Sequence, residues 1–130
     1  VPYRFLAARK LATFLDAIAH PRRIQIIEEL RSGETDVGSL NKALGISHSN
    51  VSQHLAVLRA YRVVAERREG RHVFYRLCSS ALAEWLVDGV QFVPEATAEN
   101  EEVKNALQNA KLAWTSSTRR KQKRKAPRKD

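Results

Sequence analysis

The sequence has no methionine, a single cysteine, five glycines and four prolines in 130 residues. One cysteine, Cys78, cannot close an internal disulfide, and no Cys/His cluster has the spacing of a structural zinc site. The fold must therefore rest on an apolar core, with no metal and no crosslink expected. Without methionine, Val1 is not expected to be an intact translation start. No run approaches the roughly 20 consecutive apolar residues that span a bilayer. The stretch from Val1 to Ala19 is broken by Arg4, Arg9, Lys10 and Asp16, which denies it the apolar centre of a secretory signal. A cytoplasmic protein with no membrane partner is the expectation. Also missing are a Ser/His/Asp set, a Gly-rich phosphate loop and a paired-carboxylate pocket, so neither an enzyme nor a cofactor is expected.

What is present suits one compact domain. The length allows a single core, and the 43% hydrophobic content is ordinary for a globular chain. The net charge of +9 is unevenly spread: eight basic residues and one acid between Arg119 and Asp130 account for +7 of it. The charge therefore argues for a polyanion-binding tail and says little about the folded part. The expected division is a folded domain over 1–115 and a basic, disordered tail over 116–130.

Periodicity places the elements. Leu11, Phe14, Leu15 and Ile18 form one stripe of a helix running roughly from Tyr3 to Ala19. Pro21 fits the first turn of a second helix, with Ile24, Ile27 and Leu30 on one face and a stop at Ser32-Gly33. From Asp36, the apolar positions Val37, Leu40, Ala43 and Leu44 repeat at helical spacing up to Gly45, which permits a sharp turn. Ser47 is a good N-cap for the next helix, whose buried stripe would be Val51, Leu55 and Leu58. Two short helices joined through Leu44-Gly45-Ile46-Ser47 describe a helix-turn-helix. The period then changes to two: Val63 to Arg68 is β-prone, Glu69-Gly70 can turn, and Val73, Tyr75 and Leu77 alternate on a returning strand. A further helix would turn Leu82, Trp85, Leu86 and Val90 inward. A last one, roughly Ala96 to Trp114, carries Val103, Leu107, Ala110 and Trp114 at helical spacing.

A helix end that enters the major groove needs short polar side chains that reach base edges. The segment from Ser47 to His54 supplies Ser47, His48, Ser49, Asn50, Ser52 and Gln53. Asn50 and Gln53 suit bidentate contact with adenine, while the serines and His48 suit bases or phosphates. The hairpin that follows carries Arg67, Arg68, Arg71 and His72 around Gly70, where a wing would straddle the backbone of double-stranded DNA. The fold class is thus mainly α (α+β), a winged helix-turn-helix with a two-stranded hairpin wing. Its first helix is more apolar than one small domain can cover, so a homodimer through the terminal helices is expected.

Three stretches carry a family resemblance. Ala19-His20-Pro21-Arg22-Arg23 with Ile24 to Leu30, then Val51-Ser52-Gln53-His54-Leu55-Ala56-Val57-Leu58-Arg59, then Arg68-Glu69-Gly70-Arg71 with Tyr75-Arg76-Leu77, resemble the ArsR/SmtB repressors. The resemblance spans about Leu11 to Trp85. It implies a winged-helix homodimer whose first and last helices form the interface and from which a ligand or metal releases DNA. The twofold dimer in turn predicts an inverted-repeat operator, and a repressor associated with the nucleoid is the expectation.

The sensing positions depart from that family. The helix before the turn reads Glu34-Thr35-Asp36-Val37-Gly38-Ser39-Leu40, without the paired cysteines of its arsenic- and cadmium-type members. The helix after the wing offers Glu84 and Asp88, a carboxylate pair without histidine and a poor zinc site. Cys78 reads as a small hydrophobe at a strand end, since a dithiol switch needs two cysteines. A small-molecule or redox effector is left unidentified. His20 and His54 suit structural hydrogen bonding or DNA contact. Two other readings stay open: an architectural, chromatin-like DNA binder that uses its tail, and a protein-interaction module.

Overall fold

Local chemistry at the helix ends sets the order of elements. The computed structural model describes the backbone of residues 2–125 and side chains as far as residue 115. Helix α1 covers Tyr3–Ile18, and α2, Pro21–Glu29, starts behind His20 and continues into a 3-10 turn at Leu30–Ser32. Gly33 stops it at φ +122°, a backbone conformation that other residues rarely adopt. A two-residue strand β1, Thr35–Asp36, leads into α3, Val37–Leu44. Then come α4, His48–Ala60, and the hairpin of β2, Val64–Glu69, and β3, His72–Leu77. Helix α5, Ser80–Asp88, two 3-10 turns and α6, Glu101–Lys125, complete the chain.

The chain forms two units, the first through Ala83 and the second from Glu84. The core of the first contains Ile18, Ile26, Ile27, Leu30, Leu40, Leu44, Val51, Leu55, Leu58, Val63 and Val64. Helix α4 packs against α1, α2, α3 and β2. Its expected stripe is the observed one: Val51, Leu55 and Leu58 are each at most 1% exposed. Burying one such side chain contributes about 1.5–3 kcal/mol. Packing therefore fixes the rotation of α4 and leaves its polar residues facing out.

Elsewhere the buried faces differ from the expected ones. In α2 the buried residues are Ile26 and Ile27, with Ile24 only half-buried, and Leu30 is buried in the 3-10 turn that follows. In α1 only Ala17 and Ile18 are buried, Phe14 and Leu15 are half-buried, and Leu11 is exposed. In α5 the expectation for Trp85 is overturned. It is 59% exposed, while Ala83 and Val87 are buried; apolar residues occur around most of that helix, so its spacing does not single out one face. The last helix begins later than Ala96, since the Asn100 side chain caps it by accepting from the Val103 amide at 2.9 Å. Its backbone runs to Lys125, beyond the 115/116 boundary expected from composition; the end of that tail, residues 126–130, lies outside the described residues.

The wing also gains a strand. The sheet has the order β1-β3-β2, all antiparallel, with Thr35 opposite Tyr75 and Asp36 opposite Phe74. Two residues are too short for an alternation signal, so the sequence indicated only the hairpin. The tight turn is Gly70-Arg71 between the paired Glu69 and His72, with Gly70 at φ +61°. Glycine at the first position of a two-residue loop is what a type II′ hairpin turn requires.

Candidate nucleic-acid interface

The helix-turn-helix is built from two capped helix starts and one left-handed residue. The Asp36 carboxylate opens α3 by accepting from the Ser39 amide at 3.3 Å and the Ser39 hydroxyl at 2.6 Å. The Ser39 hydroxyl, more than any other group, holds the Asp36 carboxyl below its ordinary range. Gly45 ends α3 at φ +66°, and its amide donates to the Asn41 carbonyl at 2.9 Å. Ser47 then opens α4 in extended conformation, its Oγ accepting from the Asn50 amide at 3.3 Å. The cap satisfies one of the backbone donors left open at a helix start.

Ser47, His48, Ser49, Asn50, Ser52 and Gln53 are all exposed along α4. His48 Nδ1 and Ser52 Oγ lie 3.5 Å apart, one turn of helix from each other. These two residues form one wall of an open cleft of about 390 Å³, whose other wall is the wing, with Glu66, Arg68, Arg71, His72, Val73 and Tyr75. Asp36, Val37 and Gly38 close its end. Of the site residues expected from sequence, the fold thus brings His48, Ser52, Arg68, Arg71 and His72 around one space. Ser47, Ser49, Asn50 and Gln53 lie on the helix outside it.

Strand parity separates the two adjacent arginines of β2. Register pairs Glu66 with Tyr75 and Arg68 with Val73 on the cleft face, and Arg67 with Phe74 on the other. Arg67 is engaged there. Its Nη2 and Nε donate to the Glu34 carboxylate at 2.7–3.3 Å, Nη1 donates to Glu69, and the guanidinium lies 4.6 Å from the Phe74 ring centroid. The Glu34 hydrogen bonds, then those of Glu69, push the Arg67 pKa above its already high value, and Arg67 in turn lowers that of Glu34. Arg68 is 74% exposed and, among the described residues, approaches Glu66 at 3.8 Å.

Glu66 was not among the site residues read from sequence. Its carboxylate receives Arg59 from the end of α4 at 2.7 Å and the Tyr75 hydroxyl at 3.2 Å. It connects the end of α4 to the wing and also lines the cleft. Burial first, then this bond to Glu66, raises the Tyr75 pKa. The alternation of β2 could have indicated Glu66, since it shares a face with the buried Val64. Among the described residues no three His, Cys, Asp or Glu side chains converge as a metal site.

Comparison with known proteins agrees with this architecture. Residues 20–66, from the cap of α2 to Glu66, match the model described as bacterial regulatory protein, arsR family. The nodulation protein NolR of Rhizobium meliloti is 38% identical over 81 residues, covering 62% of this chain and 66% of its own length. A biofilm growth-associated repressor of Agrobacterium fabrum is 37% identical over 93 residues, covering 72% and 79% respectively. Among solved structures, NolR from Sinorhizobium fredii superposes with a TM-score of 0.64 at 34% identity over 71% of this chain and 92% of its own. Reduced HlyU from Vibrio cholerae gives 0.63 at 34% identity, over 71% and 97%.

Proposed function

Because this chain belongs to the arsR family of bacterial regulatory proteins, we propose that it represses transcription as a homodimer bound to an inverted-repeat operator. It is a DNA-binding transcriptional regulator with a winged helix-turn-helix. The observation that carries the finer reading is the exposed polar face of α4, fixed by the Ser47 cap and set against the arginines of the wing across one cleft. Asn50 and Gln53 read base edges from the major groove; Ser47, Ser49 and Ser52 fix the register on bases or phosphates. His48, Arg68, Arg71 and His72 hold the backbone phosphates that border the groove. Arg67 braces the wing through Glu34 and Glu69.

The homodimer is supported by exposed apolar residues of α1, with Tyr3 76% and Phe5 61% exposed and Leu6 and Leu11 also uncovered. In the second unit Trp85, Phe92 and Leu112 are exposed as well. A second copy that covers the terminal helices removes these faces from water. Twofold symmetry then sets two recognition helices roughly 34 Å apart, one turn of DNA.

Selection from random duplexes, followed by footprinting on genomic DNA, tests the reading. Enrichment of inverted repeats and protection of discrete promoter palindromes are the expected results. Enrichment of unpaired half-sites alone would refute the dimer. Broad coating of DNA without discrete sites would favour an architectural role instead.

A further inference from the structure

His54 lies on α4, yet it is half-buried, and its contacts are with α2 and the α1–α2 junction rather than with the polar face. Its Nδ1 accepts a hydrogen bond from Arg23 Nε at 3.2 Å, and the same guanidinium donates through Nη1 to the Ala17 carbonyl at 2.9 Å. One arginine of α2 thereby ties the end of α1 to the recognition helix. Beside it, the His20 ring lies 4.5 Å from the His54 ring, centroid to centroid. His20 caps α2, its Nδ1 accepting from the Arg22 amide at 3.1 Å. Both imidazoles act as acceptors, a role that only an unprotonated ring nitrogen can fill.

We propose that His54, together with His20, is a positioning residue for DNA reading that holds α4 on α2 only while both rings are neutral, so that acid weakens sequence-specific binding. A proton on His54 Nδ1 turns an acceptor into a donor aimed at a guanidinium. The bond to Arg23 is then lost and cation faces cation. The charges acting on His54 are His20, Arg23 and Arg22. The two arginines are permanently cationic. Arg22 is itself fixed, donating to Gln25 Oε1 at 2.9 Å and to the Leu44 carbonyl at 3.4 Å. Among the described residues, the acceptors that these arginines meet on α1, α2 and α3 are the Ala17 and Leu44 carbonyls and Gln25, all of them neutral.

Burial first, then His20 and the arginines, lowers the His54 pKa from 6.5. A group depressed on folding contributes stability that is present above its unfolded value and is lost as pH falls below it. The sign agrees with a latch that opens in acid. His48 and His72 lie exposed at the cleft and are the same in wild type and in the variants below, so what they add is common to every profile.

The proposal rests on α4 reading DNA. The test measures the affinity of the full chain for a labelled duplex bearing the inverted repeat it enriches, from about pH 8 to about pH 5.5 at constant ionic strength. His54→Gln keeps an acceptor for Arg23 and takes up no proton. Wild type should lose affinity relative to this variant as pH falls, by up to about tenfold per pH unit for each proton that binding must expel. His20→Asn, which retains a cap acceptor, should flatten the profile likewise and serves if the first variant does not fold. Parallel profiles for wild type and the folded variants would overturn the latch while leaving DNA reading intact. Failure to bind any duplex at any pH would overturn the reading of α4, and the latch with it.

Discussion

Replacing Arg68 or Arg71 by alanine should flatten the salt dependence of DNA binding, whereas replacing Arg67, the immediate neighbour of Arg68, should leave it unchanged. Arg68 and Arg71 line the cleft beside α4, where a backbone phosphate borders the major groove. Arg67 points to the other face of the sheet, between Glu34 and Glu69. Those three side chains together carry a net charge of −1 and present no uncompensated cation to DNA. Each phosphate contact contributes about 0.9 to the slope of log affinity against log salt, hence about 1.8 when both protomers lose it. Raising salt threefold should then weaken wild type by about sevenfold more than Arg68→Ala or Arg71→Ala. Fluorescence anisotropy titrations of one labelled duplex at several salt concentrations measure the slopes directly. A slope for Arg67→Ala as shallow as that for Arg68→Ala would refute the assignment from strand parity.

The base contacts predict a different signature. Gln53→Ala or Asn50→Ala should cost about 1–3 kcal/mol on the preferred site and relax preference at one base position; unchanged preference in both variants would contradict their role as readers. Ser47→Ala should lower stability by about 1 kcal/mol in urea unfolding, because it leaves the Asn50 amide without its cap. A stability equal to wild type would show that the cap does not hold the start of α4. Deleting the residues after Ser117 removes eight basic side chains and should flatten the salt slope; identical slopes would leave that stretch without a role on DNA.

Features governed by chemistry within a few residues were legible in the sequence. Ser47 caps α4 because a hydroxyl next to a helix start reaches the amide three residues on, and Gly45 and Gly70 stand where the backbone turns left-handed. The face of α4 was legible because Val51, Leu55 and Leu58 are its apolar residues of suitable spacing and the opposite side is polar. Helix α5 offered no such contrast. Leu82, Ala83, Trp85, Leu86 and Val87 leave few polar positions to mark the outer face, so helical spacing alone turns the exposed Trp85 inward. Strand β1 failed for the opposite reason, since two residues cannot display a period.

The candidate site divides along the same line. Which residues on α4 are short and polar is a property of the sequence; which arginine is free to meet a phosphate depends on partners far along the chain. Arg67 and Arg68 are chemically the same and adjacent, yet Glu34, 33 positions earlier, meets only the first. That pairing needs β1 to end beside β3, so that the loop before it arrives at the outer face of the wing. The Arg23–His54 bond likewise joins residues 31 apart and turns one member of a polar helix away from the groove. Net charge obscured both pairings, because most of it lies in residues 119–130. Within the folded part, affinity for DNA then depends less on how many cations the chain carries than on how few of them its own carboxylates neutralise.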